Sequence, residues 1–180
     1  SMHMWTSITV GFIFAFPFVL WEIWKFISPA LYEKEKKYAA SFIIISSILF
    51  FIGVLFGYYL IAPLSVQFFA SYIVSPEISN SIDIDSYISL MKTSAIASGL
   101  LFELPIIIFF LSKMGLVNPE FLRKYRKYTL VIVLILSAII TPPDVISQVI
   151  VAIPIMILYE VSILISVLVV KSQEKEKLKA

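Results

Sequence analysis

Long apolar segments, separated by shorter charged or proline-containing stretches, make up most of the 180 residues of the chain. A helix needs about 20 consecutive apolar residues to cross the hydrocarbon core of a bilayer. Each such segment is expected to be helical, because lipid offers no hydrogen-bond partner to backbone polar groups. We predict five spans, the fourth of them short, at residues 5–26, 38–62, 87–111, 128–140 and 145–170.

The composition agrees with a protein that is embedded in a membrane. Hydrophobic residues make up 60% of the chain and charged residues 14%, whereas about a quarter of the residues of a soluble domain are charged. We therefore predict an all-α fold, a polytopic membrane helical bundle, with residues 1–180 as a single membrane domain. The chain contains no cysteine, which excludes disulfides and thiolate chemistry.

The positive charges predict the orientation in the membrane. Twelve of the 14 Lys and Arg residues lie in segments 34–37, 113–127 and 171–179, and the connections 63–86 and 141–144 contain none. If every predicted span crosses the bilayer, the three basic segments share one side, which the positive-inside rule places in the cytoplasm together with the C-terminus. Five spans then put the N-terminus outside. We therefore expect a fragment of a six-span protein that lacks the first span.

Local signals mark where two of the helices begin. In "VNPEFLRK", Asn118 is placed to cap a helix with Pro119 in its first position and Glu120 in its first turn. We expect this helix to continue into the fourth span, with a basic turn before the lipid. In "TPPDV", Pro143 and Asp144 are placed to begin the fifth span. The short fourth span and this tight turn predict a hairpin that does not reach full depth, with local thinning of the bilayer.

The long outer connection 63–86 mixes aromatic with polar residues. We predict a short interfacial helix there, followed by a turn at Pro76. Asp83, Asp85 or Ser86 is expected to cap the third span, because short polar side chains accept from the first free N–H groups of a helix.

Prolines occur inside three of the spans, at Pro17, Pro105 and Pro154. Each removes a helix hydrogen bond and favours a kink, which would help to build a curved wall. The alternative is that they have no special role, since proline is common in membrane helices.

Glu103 and Glu160 are the acidic residues deepest in the predicted spans. A charge at the centre of a membrane helix costs about 2.5–3.5 kcal/mol, and Glu103 has no basic residue near it in its own helix. Two interpretations remain open for both: a structural hydrogen bond inside the bundle, or a functional contact with a partner. Glu22 and Lys25, three residues apart, are expected to form a local ion pair near the membrane surface.

The stretch "FISPALYEKEKK" places Glu33 and Glu35 among lysines at the membrane surface. One interpretation is a solvated charged loop. The other is a carboxylate site for a guanidinium, because a carboxylate pairs with arginine in a bidentate geometry that lysine cannot reproduce.

Four stretches together resemble the TatC family, the polytopic core of the twin-arginine protein translocase. "FPFVLWEIWKFISPALYEKEKK" resembles its second span and first cytoplasmic loop, and "LFELP" its fourth span. "GLVNPEFLRKYRKY" resembles the second cytoplasmic loop, and "TPPDVISQ" followed by "AIP" the last outer turn and sixth span. The order and spacing match along nearly the whole chain.

The resemblance implies a six-span, glove-shaped fold with a concave face, of which five spans are present here. It implies a receptor for folded proteins that carry an Arg-Arg signal peptide, located in the cytoplasmic membrane and driven by the proton gradient. The fourth and fifth spans would dock single-span subunits of the TatA and TatB type in a hetero-oligomer. No enzyme activity, cofactor, metal or nucleic acid is expected.

The resemblance also implies roles for individual residues. Glu35 corresponds to the acid that recognises the arginine pair, and Glu103 to the intramembrane glutamate on the concave face. The residues that would shape the signal site around Glu35 are Phe26, Pro29, Leu31 and Tyr32. The residues of the outer-turn motif linked to translocation are Pro142, Pro143, Asp144 and Gln148.

Two other classes of membrane protein match the sequence less well. A proton-coupled secondary transporter would use Glu103 as its carrier site, but it predicts paired repeats, and none is visible. An intramembrane hydrolase needs a nucleophile with a base, or a metal set. The single histidine, His3, and the absence of cysteine and of paired intramembrane aspartates argue against it. The chain also has no glycine-rich phosphate-binding loop.

Overall fold

The computed structural model describes residues 2–27, 39–71, 83–142 and 144–177. Within these ranges all regular secondary structure is helical, which confirms the all-α prediction. The helices are α1 (Met2–Ile27), α2 (Ala39–Phe56), α3 (Ala62–Ser71), α4 (Ile84–Phe102), α5 (Leu104–Lys113), α6 (Pro119–Lys124), α7 (Arg126–Ile140) and α8 (Val145–Lys177).

Four stretches of the described chain are long and apolar enough to cross a membrane. They are His3–Phe26, Ser41–Ser71, Ile84–Lys113 and Val145–Lys175, and they confirm four of the five predicted spans. The remaining one, α7, has 15 residues and is about 22 Å long at 1.5 Å per residue. It is shorter than the hydrocarbon core of about 30 Å, as the prediction of a short fourth span required.

The second span differs from its prediction. It does not end near residue 62, and the separate interfacial helix predicted after it is wrong, because α2 continues through a π-helical turn at Gly57–Ile61 directly into α3. The Ala62 N–H donates to the Gly57 carbonyl, five residues back. Pro63 follows with no N–H of its own, so the regular α-helical bonding is interrupted at this point in any case. Pro76 lies outside the described residues.

Several helix ends follow the local signals. The Asn118 side chain accepts from the Phe121 N–H at 2.7 Å and confirms the predicted cap. The helix that it caps ends at Lys124, and α7 begins after a break at Tyr125, where one continuous helix had been expected. Asp83 occupies the N-cap position of α4, but its side chain forms no cap hydrogen bond.

α2 and α4 cross at very short distance, and glycine makes this approach possible. A Cβ atom on Gly57 would lie 2.3 Å from the Ser94 carbonyl oxygen, and one on Gly53 would lie 2.7 Å from the Ser98 carbonyl oxygen. Small residues spaced four apart allow this kind of backbone contact between membrane helices. The two helices are antiparallel, so residues that precede Gly57 on one helix lie opposite residues that follow Ser94 on the other. This arrangement brings Ser46 to Glu103.

The apolar core is divided among three clusters. The first joins α1, α2 and α5 through rings such as Trp24, Phe42 and Phe110. The second lies where α7 and α8 meet the π-helical turn of the second span, around Ile61 and Val151. The third packs α6 against α8. α8 thus takes part in two of the three clusters. Its Pro154 does not interrupt it. Of the three span prolines, only Pro105 coincides with a helix break.

Candidate functional site

Glu103 lies at the break between α4 and α5. Its backbone dihedrals are φ −76° and ψ −5°, and its N–H donates to the Leu100 carbonyl at 3.2 Å. Pro105 stands in the first turn of α5 and has no N–H to continue the hydrogen bonding of α4. The proline therefore explains why the helix is interrupted next to the glutamate.

The Glu103 carboxyl group is buried, with 6% of the residue exposed. The hydroxyl of Ser46 on α2, itself fully buried, donates to Glu103 Oε2. Glu103 Oε1 is also buried, and no donor in the described part of the chain reaches it. A buried oxygen without a partner costs about 1–3 kcal/mol. Within the described residues, one oxygen of the carboxyl group therefore has a donor and the other has none.

Glu160 has a different environment. Its Oε2 lies 2.6 Å from Nη2 of Arg126, the first residue of α7, and the two side chains are 46% and 47% exposed. Glu160 therefore has a charged partner within the described part of the chain, which the structural interpretation requires. Sequence reasoning missed Arg126 as its partner, because the two residues are 34 positions apart and meet only when α7 folds back along α8.

A cleft of about 650 Å³ runs between α7 and α8, and we call it the hairpin cleft. Its lining is almost entirely apolar, with Leu130, Leu134, Ile153 and Ile157 among its members. Among the described residues that line it, Glu160 alone is charged, and the rest of the surface is apolar.

Hydrogen bonds at the turn between α7 and α8 hold this hairpin together. Asp144 Oδ2 accepts from the Ser147 N–H at 2.8 Å and caps α8. This bond is the main cause that holds the pKa of the Asp144 carboxyl below its ordinary value. Gln148 Nε2 donates to the Leu134 carbonyl across the hairpin at 2.7 Å. Pro142 is buried beside them, and Pro143 lies outside the described residues. The described members of the predicted motif therefore come together, and their hydrogen bonds brace the turn.

The predicted signal site falls largely on residues that the structure does not describe. Glu35, Pro29, Leu31 and Tyr32 lie in the segment 28–38, outside the described ranges. Phe26, at the end of α1, is 86% exposed and contributes an apolar ring beside that segment. In the turn before it, Lys25 Nζ and Glu22 Oε1 are 2.8 Å apart, which confirms the expected local ion pair.

Comparison with known proteins gives consistent matches. Residues 1–154 match the family described as TatC, Sec-independent protein translocase protein. The TatC protein of Blattabacterium sp. subsp. Periplaneta americana is 43% identical over 173 residues, covering 96% of this chain and 65% of the relative. TatCy of Bacillus subtilis is 39% identical and is covered to the same 65%. The chain thus spans about two thirds of the length of these relatives.

Two solved structures are also similar. Both are crystal structures of the twin-arginine translocase receptor TatC, one of them in the detergent DDM. They superpose with TM-scores of 0.73 and 0.76 at 39% and 38% identity. The alignments cover 91% and 92% of this chain and 72% and 73% of the solved chains.

Proposed function

The chain belongs to the TatC family of Sec-independent protein translocase proteins, and on this basis we propose that it forms the receptor subunit of a twin-arginine translocase. It binds the Arg-Arg signal peptides of folded proteins at the cytoplasmic face of the cell membrane. The protein exports its cargo together with partner subunits and uses the proton gradient. Its role is to bind and position other proteins, and it catalyses no covalent step.

The observation that carries this proposal is the buried Glu103 with one unsatisfied oxygen in a wall of membrane helices. A structural carboxyl group would be expected to have both oxygens satisfied, since buried polar atoms in proteins almost always are. A site that receives a polar group from an incoming helix or signal hairpin is instead left incomplete until that group arrives. Ser46 fixes the orientation of the carboxyl in the meantime.

Recognition of the arginine pair is assigned to Glu35. A carboxylate at the membrane surface forms a bidentate pair with a guanidinium, and Pro29, Leu31 and Tyr32 shape the site around it. The exposed ring of Phe26 offers an apolar contact next to this segment. The apolar part of the signal peptide then passes along the concave wall towards Glu103.

Docking of single-span subunits is assigned to α7 and α8. The hairpin cleft supports this, because its apolar lining and its volume of about 650 Å³ suit the side chains of a membrane helix. Asp144 and Gln148 keep the two helices in register at the outer turn.

The orientation follows from the basic residues. Gln173 Nε2 donates to the Lys113 carbonyl at 2.9 Å, so Lys113 and the basic end of α8 lie towards the same side of the bundle. The positive-inside rule places that side in the cytoplasm. The C-terminus is therefore cytoplasmic in this proposal, and the turn that contains Asp144 faces the opposite side.

A photo-crosslinking experiment with an Arg-Arg signal peptide tests the receptor role. In the assembled translocase, Glu35→Ala should abolish the crosslink, whereas Glu33→Ala, two residues away in the same loop, serves as the matched control and should retain it. An unchanged crosslink in the Glu35→Ala protein would show that this residue does not recognise the arginines.

A proton-coupled transporter is the second candidate, and the broken helix at Glu103 is the observation in its favour, since such carriers bind ions at discontinuous helices. Carriers of this kind repeat the break in their other half. Here α8 runs unbroken from Val145 to Lys177, and its glutamate is already paired with Arg126. The receptor function accounts for this asymmetry better.

A further inference from the structure

A second cleft lies between α1, α2, α5 and α8, at the end of the bundle where α5 ends, and we call it the four-helix cleft. Side chains from all four helices line it, among them Trp24, Phe42, Phe109 and Leu168. Its volume is about 470 Å³, within the roughly 300–1,000 Å³ typical of sites that hold one small molecule. The cleft therefore has room for one flexible apolar chain.

The polarity of the lining changes in the same direction on three of these helices. Each contributes apolar side chains further from the end of the bundle, as Ile45, Ile106 and Ile165 do. Each then contributes a polar side chain at the end of the cleft where α5 ends, and these are Ser41 on α2, Lys113 on α5 and Ser172 on α8. The cleft thus has an apolar body and a hydroxyl-rich, positively charged mouth.

The charge at the mouth continues along α8. Lys175 lies three residues beyond Ser172, on the same helix face one turn further out, and it is exposed. In the part of the chain that the structure describes, no acidic side chain lines the cleft. The ammonium group of Lys113 has three donors, so a phosphate bond adds to the contacts that this lysine already makes.

We infer that the four-helix cleft binds one acyl chain of an anionic phospholipid, with the phosphate held by Lys113 and by the hydroxyls of Ser41 and Ser172. Basic pockets between membrane helices on the cytoplasmic side bind anionic head groups, and the inner leaflet supplies such lipids. The order of groups in the cleft matches the order in the lipid, from acyl chain to glycerol to phosphate.

An Arg-Arg signal peptide fits this cleft less well. Its apolar segment would suit the body of the cleft, but its arginines would lie next to Lys113, and like charges repel. The charge of the mouth therefore favours a ligand with an anionic end. The lipid site is independent of the role of Glu35, so each proposal can fail without the other.

Trp24 lines the cleft and provides a direct test, because bromine atoms on an acyl chain quench tryptophan fluorescence at short range. The chain carrying Trp5→Phe and Trp21→Phe, with Trp24 as its remaining tryptophan, is reconstituted into phosphatidylcholine vesicles. Brominated phosphatidylglycerol or brominated phosphatidylcholine is then added in increasing amounts. Half-maximal quenching should need about fivefold less of the anionic lipid, the factor that corresponds to one lysine at a membrane surface.

Lys113→Gln should remove this preference, and Lys124→Gln, a basic residue outside the cleft, should retain it. Ser172→Glu places an acid at the mouth and should also abolish the preference, which covers the case in which Lys113→Gln fails to fold. A Trp21 version with Trp5→Phe and Trp24→Phe should show no preference. Both leaflets contain the same lipids, so the orientation of the protein does not affect the result.

Equal quenching by the two lipids would overturn the inference, as would a preference that survives both Lys113→Gln and Ser172→Glu. Relief of quenching by an Arg-Arg signal peptide, with no earlier difference between the lipids, would assign the cleft to the signal peptide instead.

Discussion

Glu103 and Glu160 lie in the same membrane bundle, yet their surroundings differ in almost every respect. Glu103 is buried and receives one hydroxyl donor, and its other oxygen has no donor among the described residues. Glu160 is half exposed and forms an ion pair with an arginine. The presence of a glutamate in an apolar helix therefore does not by itself indicate a binding group. What distinguishes a candidate binding group from a structural one is the balance between the hydrogen bonds it can make and those it makes.

The largest expected effect comes from breaking the helix crossing that places Ser46 opposite Glu103. Gly57→Val puts a side chain into the Ser94 carbonyl, which is only 2.3 Å from the position of a Cβ atom. Overpacking of this kind costs about 1–3 kcal/mol or more, and the cost should lie at the upper end because backbone, not a flexible side chain, is in the way. Thermal unfolding in detergent should show a large loss of Tm.

Gly11→Val is the matched control for this change. It introduces the same side chain into a membrane helix, but nothing lies within 4 Å of a Cβ atom at Gly11. Its Tm should stay close to that of the parent chain. Similar losses of Tm in the two variants would contradict the close approach of the second span to α4.

The next effect concerns the two glutamates directly. Export of a reporter with an Arg-Arg signal should be lost in Glu103→Leu and reduced in Glu103→Gln by about tenfold, since glutamine keeps one acceptor and adds donors. Glu160→Gln should change export much less, because Glu160 already has a protein partner. Complete loss in both Glu103 variants would favour a proton-carrying role over hydrogen bonding.

A smaller effect is expected from the donor to Glu103. Ser46→Ala removes the hydroxyl that satisfies Oε2 and should lower the free energy of unfolding by about 1–3 kcal/mol. Ser47→Ala is the control, because the neighbouring hydroxyl only donates to the Ile43 carbonyl within its own helix. Chemical denaturation in mixed micelles compares the two. If Ser47→Ala lowers the free energy of unfolding as much as Ser46→Ala does, the hydrogen bond from Ser46 to Glu103 contributes no extra stability.

The smallest effect is expected for the ion pair. Arg126→Met leaves Glu160 without its partner, but half-exposed pairs contribute only about 0–1 kcal/mol in water, so the loss of unfolding free energy should be of that order. The exchanged pair Arg126→Glu with Glu160→Arg should recover it. No recovery in the exchanged pair would mean that the loss comes from packing of the Arg126 side chain and not from its charge.

The sequence predicted the spans well and the contacts between them poorly. Hydropathy identified four long helices and the short α7, because the length of an apolar run is a local property. Ser46 and Arg126 were missed as partners because they depend on helix register and on the folding back of the hairpin. The sequence does contain one local signal of the close crossing, because glycines four apart, as in "GVLFG" at residues 53–57, are typical of close helix contacts.

The extension of the second span into α3 was missed for a related reason. The sequence predicts an end of the second span near Ala62 and a separate interfacial helix after it, whereas the π-helical turn at Gly57–Ile61 lets the same helix continue to Ser71. That Glu35 recognises arginine, and that residues 1–180 form a single domain, stay predictions.

The positions of the two partners along the chain also bear on how the protein is made. Ser46 precedes Glu103 by 57 residues, and Arg126 precedes Glu160 by 34. Because a chain is synthesised from its N-terminus, each acid emerges from the ribosome after the group that will receive it. Neither carboxyl group therefore has to wait in the bilayer for a partner that does not yet exist, and insertion can proceed in the order in which the chain is translated.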